Sequence, residues 1–396
     1  MVLYKTAKSF ILTLILLSTA LVIACGGGGG DGAEGTASME VARGEHAAML
    51  LPDGRVLVIG GRSVRPVALA EFYDPSTGQW TSGGDMEQAR YEHTVTPLPS
   101  GLLLITGGNT MFDRGYSKTI TEPLGSVEMY DPSAGTFSSV GSMAYEHGFG
   151  HTATLLQDGK VLVAGGRANT GVQSGQSLVT AYSELYDPST GKWSLTGDMT
   201  EAREKHTAIL LEDGKILIVG GSSSEVYDPN SGTWSKTGQL PNDHGVRFTA
   251  TLLRDGRVLV AGGGLGSGTE IPTAVGNADL YDPSTGEWST VNDMAKAEFG
   301  HTATRLEDGR VFVVGTLSAQ IYDPDADIWS SVGQMSTERG AEMVEGPSGA
   351  LHTATLLEDN RVLIIGGAEL ELSRYGVELR REGIASVEIY DPAKGW

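Results

Sequence analysis

Residues 206–221 read "HTAILLEDGKILIVGG" and run straight into "SSSEVYDPNSGTW" at 222–234. The chain makes nearly the same statement seven times. A His opens the unit at His46, His93, His151, His206, His301 and His352, and Phe248 stands in its place in the fifth copy. Seven residues later comes a turn pair: Asp53-Gly54, Ser100-Gly101, Asp158-Gly159, Asp213-Gly214, Asp255-Gly256, Asp308-Gly309 and Asp359-Asn360. A Gly pair ends the next apolar run in six copies, and the sixth copy has Gly315-Thr316. Every copy then carries Tyr-Asp-Pro, with an aromatic after a short turn. The period is about 50 residues, within the range that means solenoid, propeller or array. It fills residues 43–396 without a linker, which overrides the usual division of a 396-residue chain into two or three domains.

Each unit resolves into four short strands. The first runs from the His. Asp-Gly marks a two-residue hairpin, since both turn positions must accept positive φ. The second strand is almost wholly apolar ("KILIVGG", "RVLVIGG"), as a strand covered on both faces must be. The third carries Tyr and enters "DPSTG", where Asp caps the turn, Pro presets φ and Gly takes the left-handed corner. The fourth begins at Trp80, Phe137, Trp193, Trp234, Trp288 and Trp329 and ends six residues on, at Met86, Met143, Met199, Leu240, Met294 and Met335.

Four antiparallel strands per unit, repeated radially with buried inner strands, make the blades of a β-propeller. The Gly-Gly after an apolar strand, followed by a spaced Tyr and Trp, resembles the kelch family over nearly the whole repeat region. No Trp-Asp pair closes any unit, which disfavours the WD type. The expected fold is all-β: a seven-bladed kelch-type β-propeller over 34–396, four antiparallel strands per blade. Six units carry both the aromatic and the apolar end, but the seventh stops at Trp396. "ASMEVARGEH" near the N-terminus matches "GDMEQARYEH", which sets Met39 level with Met86. The segment around Glu34 to Met39 is therefore expected to supply the outer strand of the last blade. "YDPAKGW" is one residue shorter than its counterparts, which leaves the register there open.

Upstream, Lys5 and Lys8 precede an apolar stretch from Phe10 to Ile23, and Val22-Ile23-Ala24-Cys25 leads into five glycines. This is the anatomy of a secretory signal, and the tetrapeptide resembles the lipobox of bacterial lipoproteins. Residues 1–24 read as a lipoprotein signal peptide, Cys25 as the lipidated first residue and 25–33 as a Gly-rich tether. The apolar run is short for a spanning helix, which needs about 20 residues. The resemblance implies a bacterial envelope location at the outer membrane or cell surface, with the membrane as partner through lipidated Cys25. Net charge is -21, from 28 basic and 49 acidic residues, which argues against nucleic acid, whose phosphates call for Lys and Arg clusters. Cys25 is the only cysteine, so no Cys-rich metal site and no Tyr–Cys copper site of the galactose oxidase kind can form. No cofactor, metal or catalytic set is expected, and a monomer is.

Repetition separates packing from function, because a ligand site is needed once and a packing solution in every blade. The aligned histidines are therefore expected to be hydrogen-bonded structural groups. Glu71, Glu128, Glu184, Glu225 and Glu388, two residues before each Tyr, are expected to pair with Arg43, Arg90, Arg203 or Arg339 between blades. In an up-and-down blade the Asp-Gly and Asp-Pro turns share one face. The loops after Gly-Gly and the interblade links share the other, with long insertions at 109–126, 167–182, 264–277 and 368–386. Long loops on a rigid scaffold carry function. Arg and Tyr are favoured at binding hot spots, and this face gathers the candidate ligand-binding residues Arg62, Arg65, Arg114, Tyr116, Tyr145, Arg167, Lys205, Arg247, Arg374, Tyr375 and Arg381. The expected function is a lipid-anchored, extracytoplasmic recognition module that binds a protein or glycan there. The alternative is a carbohydrate-acting enzyme, such as a sialic acid mutarotase-like epimerase, for which convergence of Glu45, Glu92, His147 or Arg247 on a closed pocket would speak.

Overall fold

The computed structural model describes residues 37–113, 119–169, 177–266, 272–339, 351–372 and 379–396. Residues 1–33, expected to hold the signal peptide, Cys25 and the tether, and Arg114, Tyr116, Arg374 and Tyr375 lie outside the described residues. All regular structure within them is β. Six four-stranded antiparallel sheets and one of three strands follow one another along the chain. Blade four shows the unit: strands Thr207–Leu210, Ile216–Gly220, Ser223–Asp228 and Thr233–Lys236. Gly214 turns the first hairpin at φ +83 to +85 like its equivalents Gly54 and Gly101, and Asp213 Oδ1 accepts the Lys215 N–H at 3.0 Å. In the second turn Asp228 Oδ1 accepts the Asn230 N–H at 2.8 Å. Residues Ile216–Val219 of the second strand are fully buried, while the first strand is half-buried along its length. That contrast is what a propeller requires, since its first strands lie side by side around the central channel.

Seven apolar clusters fill the seven seams between neighbouring blades. Met86 belongs to the seam of blades one and two, against Leu57, Ile59, Leu103 and Tyr130. The last seam holds Met39 against Leu363, Ile365 and Val387 of blade seven and Val56 and Val58 of blade one. Backbone bonds repeat the equivalence. Met86 donates to Ala68 O at 3.0 Å, Met199 to Ala181 O at 2.9 Å, and Met39 to Ala385 O at 3.1 Å. Trp80 Nε1 donates to Ala37 O at 2.7 Å, as Trp234 Nε1 does to Gly197 O at 2.8 Å. Residues 37–39 thus take the outer position of blade seven and close the ring; 34–36 lie outside the described residues. At the shortened C-terminus Trp396 still packs on Tyr390, with centroids 5.3 Å apart.

The histidines form a belt. Each bonds through Nε2 to the Thr that follows the aligned position of the preceding blade: His151 to Thr94 at 3.1 Å, His206 to Thr152 at 3.0 Å, His301 to Thr249 at 2.9 Å, His352 to Thr302 at 3.1 Å and His46 to Thr353 at 2.9 Å across the closure. Two departures in sequence break it. Ala47 replaces the Thr that would face His93, and Phe248 replaces the His that would face Thr207. His93 Nε2 and Thr207 Oγ1 are accordingly buried without a partner among the described residues. Ala47→Thr should give His93 its partner and stabilise the chain by about 1 kcal/mol, read as a rise in the urea midpoint. An unchanged or lower midpoint would contradict the belt.

Four residues after each Met position stands a second repeated group. Arg43, Arg90, Arg203 and Arg339 are buried and pair with Glu71, Glu128, Glu225 and Glu388. The carboxylates also accept link N–H groups, as Glu128 does from Glu87 at 2.8 Å. Blades three and five use a different pair in the same place. His147 donates to or accepts from Glu184 at 3.3 Å, and His244 and Asp279 lie 3.0 Å apart. Glu184 therefore takes a His rather than an Arg. His147, also bonded to Gly165 O at 2.7 Å and fully buried, belongs to the seam and not to the channel mouth.

Candidate functional site at the channel mouth

Each first strand is entered through one residue on the loop face of the ring. In six blades that residue has left-handed backbone: Glu45 (φ 56), Glu92 (φ 52), Gly150 (φ 73), Lys205 (φ 54), Arg247 (φ 59) and Gly300 (φ 66). Blade-to-blade bonds hold the conformation, for Glu92 N–H donates to Glu45 O at 3.0 Å, Lys205 to Gly150 O at 2.8 Å and Gly300 to Arg247 O at 2.7 Å. Glycine suits such a position. A larger residue there carries strain on the order of 1 kcal/mol, which persists where the side chain has a task. All four non-glycine residues are charged, and they meet. Glu92 of blade two lies 4.0 Å from the Arg247 guanidinium of blade five, across the mouth.

A second set comes from the positions just after Gly-Gly. In blades one, two, three, five and seven both glycines have positive φ, which turns the chain out of the sheet. In blades four and six, where the link to the third strand is short, the pair is not doubly left-handed, and Thr316 is tolerated. The outward turns deliver Arg62, Asn109 and Arg167 to the mouth. Arg62 pairs with Glu45 and lies over the Tyr91 ring, 4.5 Å from its centroid. Arg167 pairs with Glu204, the second contact at 2.9 Å. Lys205 Nζ sits 4.4 Å over the Phe149 ring. Between blades one and three lies an open cavity of about 260 Å³, lined by Arg62, Tyr91, Glu92, Asn109, Thr121, Pro123, Phe149, Arg167 and Ser177.

Three polar atoms here are buried without a hydrogen-bond partner among the described residues: Asn109 Nδ2, Glu92 Oε2 and Arg247 Nε. Natural proteins rarely leave such atoms unmatched without a reason. Burial, with Glu45 beside it, pushes Glu92 up to about 8, against the pull of Arg247, Arg62 and Lys205. Burial and then Arg247 bring Lys205 down to about 8, against Glu204 and Glu92. At neutral pH Glu92 thus carries a proton, and Lys205 keeps its charge below 8.

Models of the Kelch motif match residues 43–87 and 205–241, the first and fourth copies of the repeat. The chain is a kelch-repeat β-propeller. No curated protein matches its sequence. Among solved structures, this kelch propeller is similar to a fungal alcohol oxidase of the AA5 family in complex with copper. The TM-score is 0.65 at 17% identity, over 88% of this chain and 75% of that one. The likeness is one of fold.

Within the kelch propeller, the structure brings Arg62, Arg167, Lys205 and Arg247 together at the mouth. Arg65 is exposed on the loop beyond Arg62. Tyr145 stacks on Tyr182 with centroids 4.0 Å apart, and its N–H is held by Glu184 at 2.8 Å, so it does not line the cavity. Arg381 lies on strand Leu379–Gly383, and its side chain is outside the described residues. The expected long loops at 109–126, 167–182, 264–277 and 368–386 carry β-hairpins: Asn109–Asp113 with Thr119–Pro123, Arg167–Asn169 with Ser177–Val179, Gly264–Leu265 with Thr273–Ala274, and Ala368–Leu372 with Leu379–Gly383. Tyr91, Asn109 and Phe149 were missed in sequence. Asn109 was legible as the residue after Gly-Gly, in register with Arg62 and Arg167. A larger groove of about 450 Å³ lies on the turn side between blades four and five. Its charged groups are already engaged, Asp213 with Lys215 at 2.9 Å, Asp228 with the Asn230 N–H at 2.8 Å and Lys236 with Glu201 at 2.6 Å.

Proposed function

We propose that this kelch propeller is a recognition module that takes the end of a glycan into the loop-face cavity, held at a bacterial envelope by lipid on Cys25. The observation that carries the reading is Asn109: 4% exposed, with its Nδ2 unmatched in a cavity lined by hydroxyl, guanidinium and carboxyl groups together with Pro123 and the Phe149 ring. Such a lining suits a polyhydroxylated ligand, which needs many donors and acceptors in a small volume. Val64 and Phe112 are exposed on the same face and give a longer ligand an apolar rim. The copper of the structurally similar oxidase is not carried over, because no group of three or more His, Cys, Asp or Glu among the described residues could hold a metal.

A glycan array and an envelope-extract pull-down with the full chain test the reading. Arg62→Glu and Arg167→Glu should each weaken capture at least tenfold, about 1.4 kcal/mol. Lys192→Glu and Lys215→Glu, on the turn face, should leave it unchanged. Losses confined to the turn-face pair would move the site to the other side, and capture of protein without glycan would replace the ligand class. The anchor has its own test: Cys25→Ser should release the chain from washed membranes without unfolding it, and retention there would contradict lipidation.

Glu92 and Lys205 favour a second reading, that of an enzyme acting on carbohydrate. Both titrate near 8 in one mouth, where an acid and a base can exchange protons with a sugar hydroxyl. Glu92→Gln would then abolish accelerated anomer exchange, followed by NMR, while ligand capture persists.

A further inference from the structure

We propose that the ligand's entering group is a carboxylate carried on a sugar ring, seated on Arg247 and Lys205 beside Glu92. The inference rests on the loop-face reading above and names the chemistry that the mouth would select. Four cations converge, and two are already matched: Arg62 by Glu45 and Arg167 by Glu204. Arg247 has only a looser ion pair. The Glu92 carboxyl lies 4.0 Å from its guanidinium, beyond hydrogen-bond reach, and its Nε is buried without a hydrogen-bond partner among the described residues. Lys205 lies against the Phe149 ring.

These two cations, neither held by a close carboxylate contact, are near enough for Arg247 to depress Lys205, so each makes the other costlier to bury. A neutral ligand would leave both uncompensated, whereas one carboxylate accepts from the planar Arg fork and from the ammonium. Glu92, whose Oε2 is unmatched, supplies a carboxyl O–H to the ligand's oxygen while it holds its proton, and repels the ligand once it does not. The groups facing Glu92 are Glu45, Arg62, Lys205, Arg247 and the Tyr91 phenol. Glu92 also lines the cavity beside this seat, where Asn109 Nδ2 is unmatched and can meet a hydroxyl of the ring.

Calorimetric titration of the full chain at pH 7 with glucuronate, glucose and N-acetylglutamate tests the seat. Glucuronate should bind, with glucose at least tenfold weaker. Arg247→Gln should weaken glucuronate at least tenfold and leave glucose unchanged, while Lys215→Gln should change neither. Should Arg247→Gln fail to fold, Lys205→Met reads the same seat. Glucuronate affinity in the wild type should fall above pH 8, as Glu92 ionises and Lys205 loses its charge. Equal binding of glucose and glucuronate would overturn the carboxylate seat. Asn109→Ala weakening both sugars alike would then show that the loop-face reading survives. Tighter binding of N-acetylglutamate than of glucuronate would overturn the sugar and point to an acidic side chain. No binding of any of the three would overturn the seat, and the array would decide the face by itself.

Discussion

As pH falls from 6.5 to 4.5 the propeller should lose stability steeply. The cause is the histidine belt. Burial holds His46, His206 and His352 down to about 3 and His151 and His301 to about 4, with His93 lowered as well. A base whose folded pKa is depressed contributes stability that is whole above its unfolded value near 6.5. That contribution is lost as pH falls toward the folded value. Each such His removes about 1.4 kcal/mol per pH unit in that window, and six act together against a total that is about 5–15 kcal/mol for a typical domain. Urea midpoints measured from pH 8 to pH 4.5 check this. His93→Phe gives the internal control, since His93 lacks a partner and Phe248 shows that the position accepts the ring. That variant should flatten the slope by one histidine's share, and an unchanged slope would deny the belt its role. Glu92 acts in the opposite sense. Its folded pKa is raised to about 8, so its contribution is present below its unfolded value and lost as pH rises through 8. Glu92→Gln should therefore be the more stable chain at pH 9.

Arg43→Ala is expected to cost about 3–5 kcal/mol, the usual result of breaking one side of a buried ion pair. The Arg43 side chain is 0% exposed. It donates to Gly60 O at 3.1 Å and Leu69 O at 2.6 Å and pairs with Glu71; its removal leaves the buried Glu71 carboxylate without its counter-charge, with only the Glu40 N–H at 2.7 Å still bonded to it. Arg90 makes the equivalent contacts to Gly107 O, Ser126 O and Glu128, so Arg90→Ala should lose a similar amount. The two variants should differ in how they open. Arg43 ties the closing segment 37–43 to blade one, and its loss should expose that segment to protease before global unfolding, which Arg90→Ala should not do. Equal protection of the segment in both variants would mean that the ring closes without it.

The fold was legible because its determinants are local. Asp213-Gly214 fixes a hairpin wherever its equivalents recur, and the apolar run before Gly-Gly has one state open to it, a strand covered on both faces. Even the closure could be read, since Met39 matches Met86 in a ten-residue alignment. The site was legible only in part, because it is assembled from residues far apart in sequence. Nothing local distinguishes Arg167, which lines the cavity, from Arg65, which stays exposed. Tyr145 looked like a hot spot, but Tyr182 covers it. The signal with most content was the residue before the aligned His or Phe in the first six copies: glycine at 150 and 300, but charged at 45, 92, 205 and 247. A position that suits glycine and yet keeps a charge is one where the side chain does something. His147 misled because it falls in the interblade link, while its register, four residues after Met143, places it in the buried seam.

Hydrogen exchange on the full chain, with and without the glycan that the array returns, tests most directly whether the mouth is the ligand site. Bound ligand should slow exchange in 89–93, 107–111 and 203–206, around Glu92, Asn109 and Lys205, and leave the turn-face peptides at 211–215 and 228–233 unchanged. Slowing confined to the turn-face peptides, with the mouth unaltered, would contradict the account.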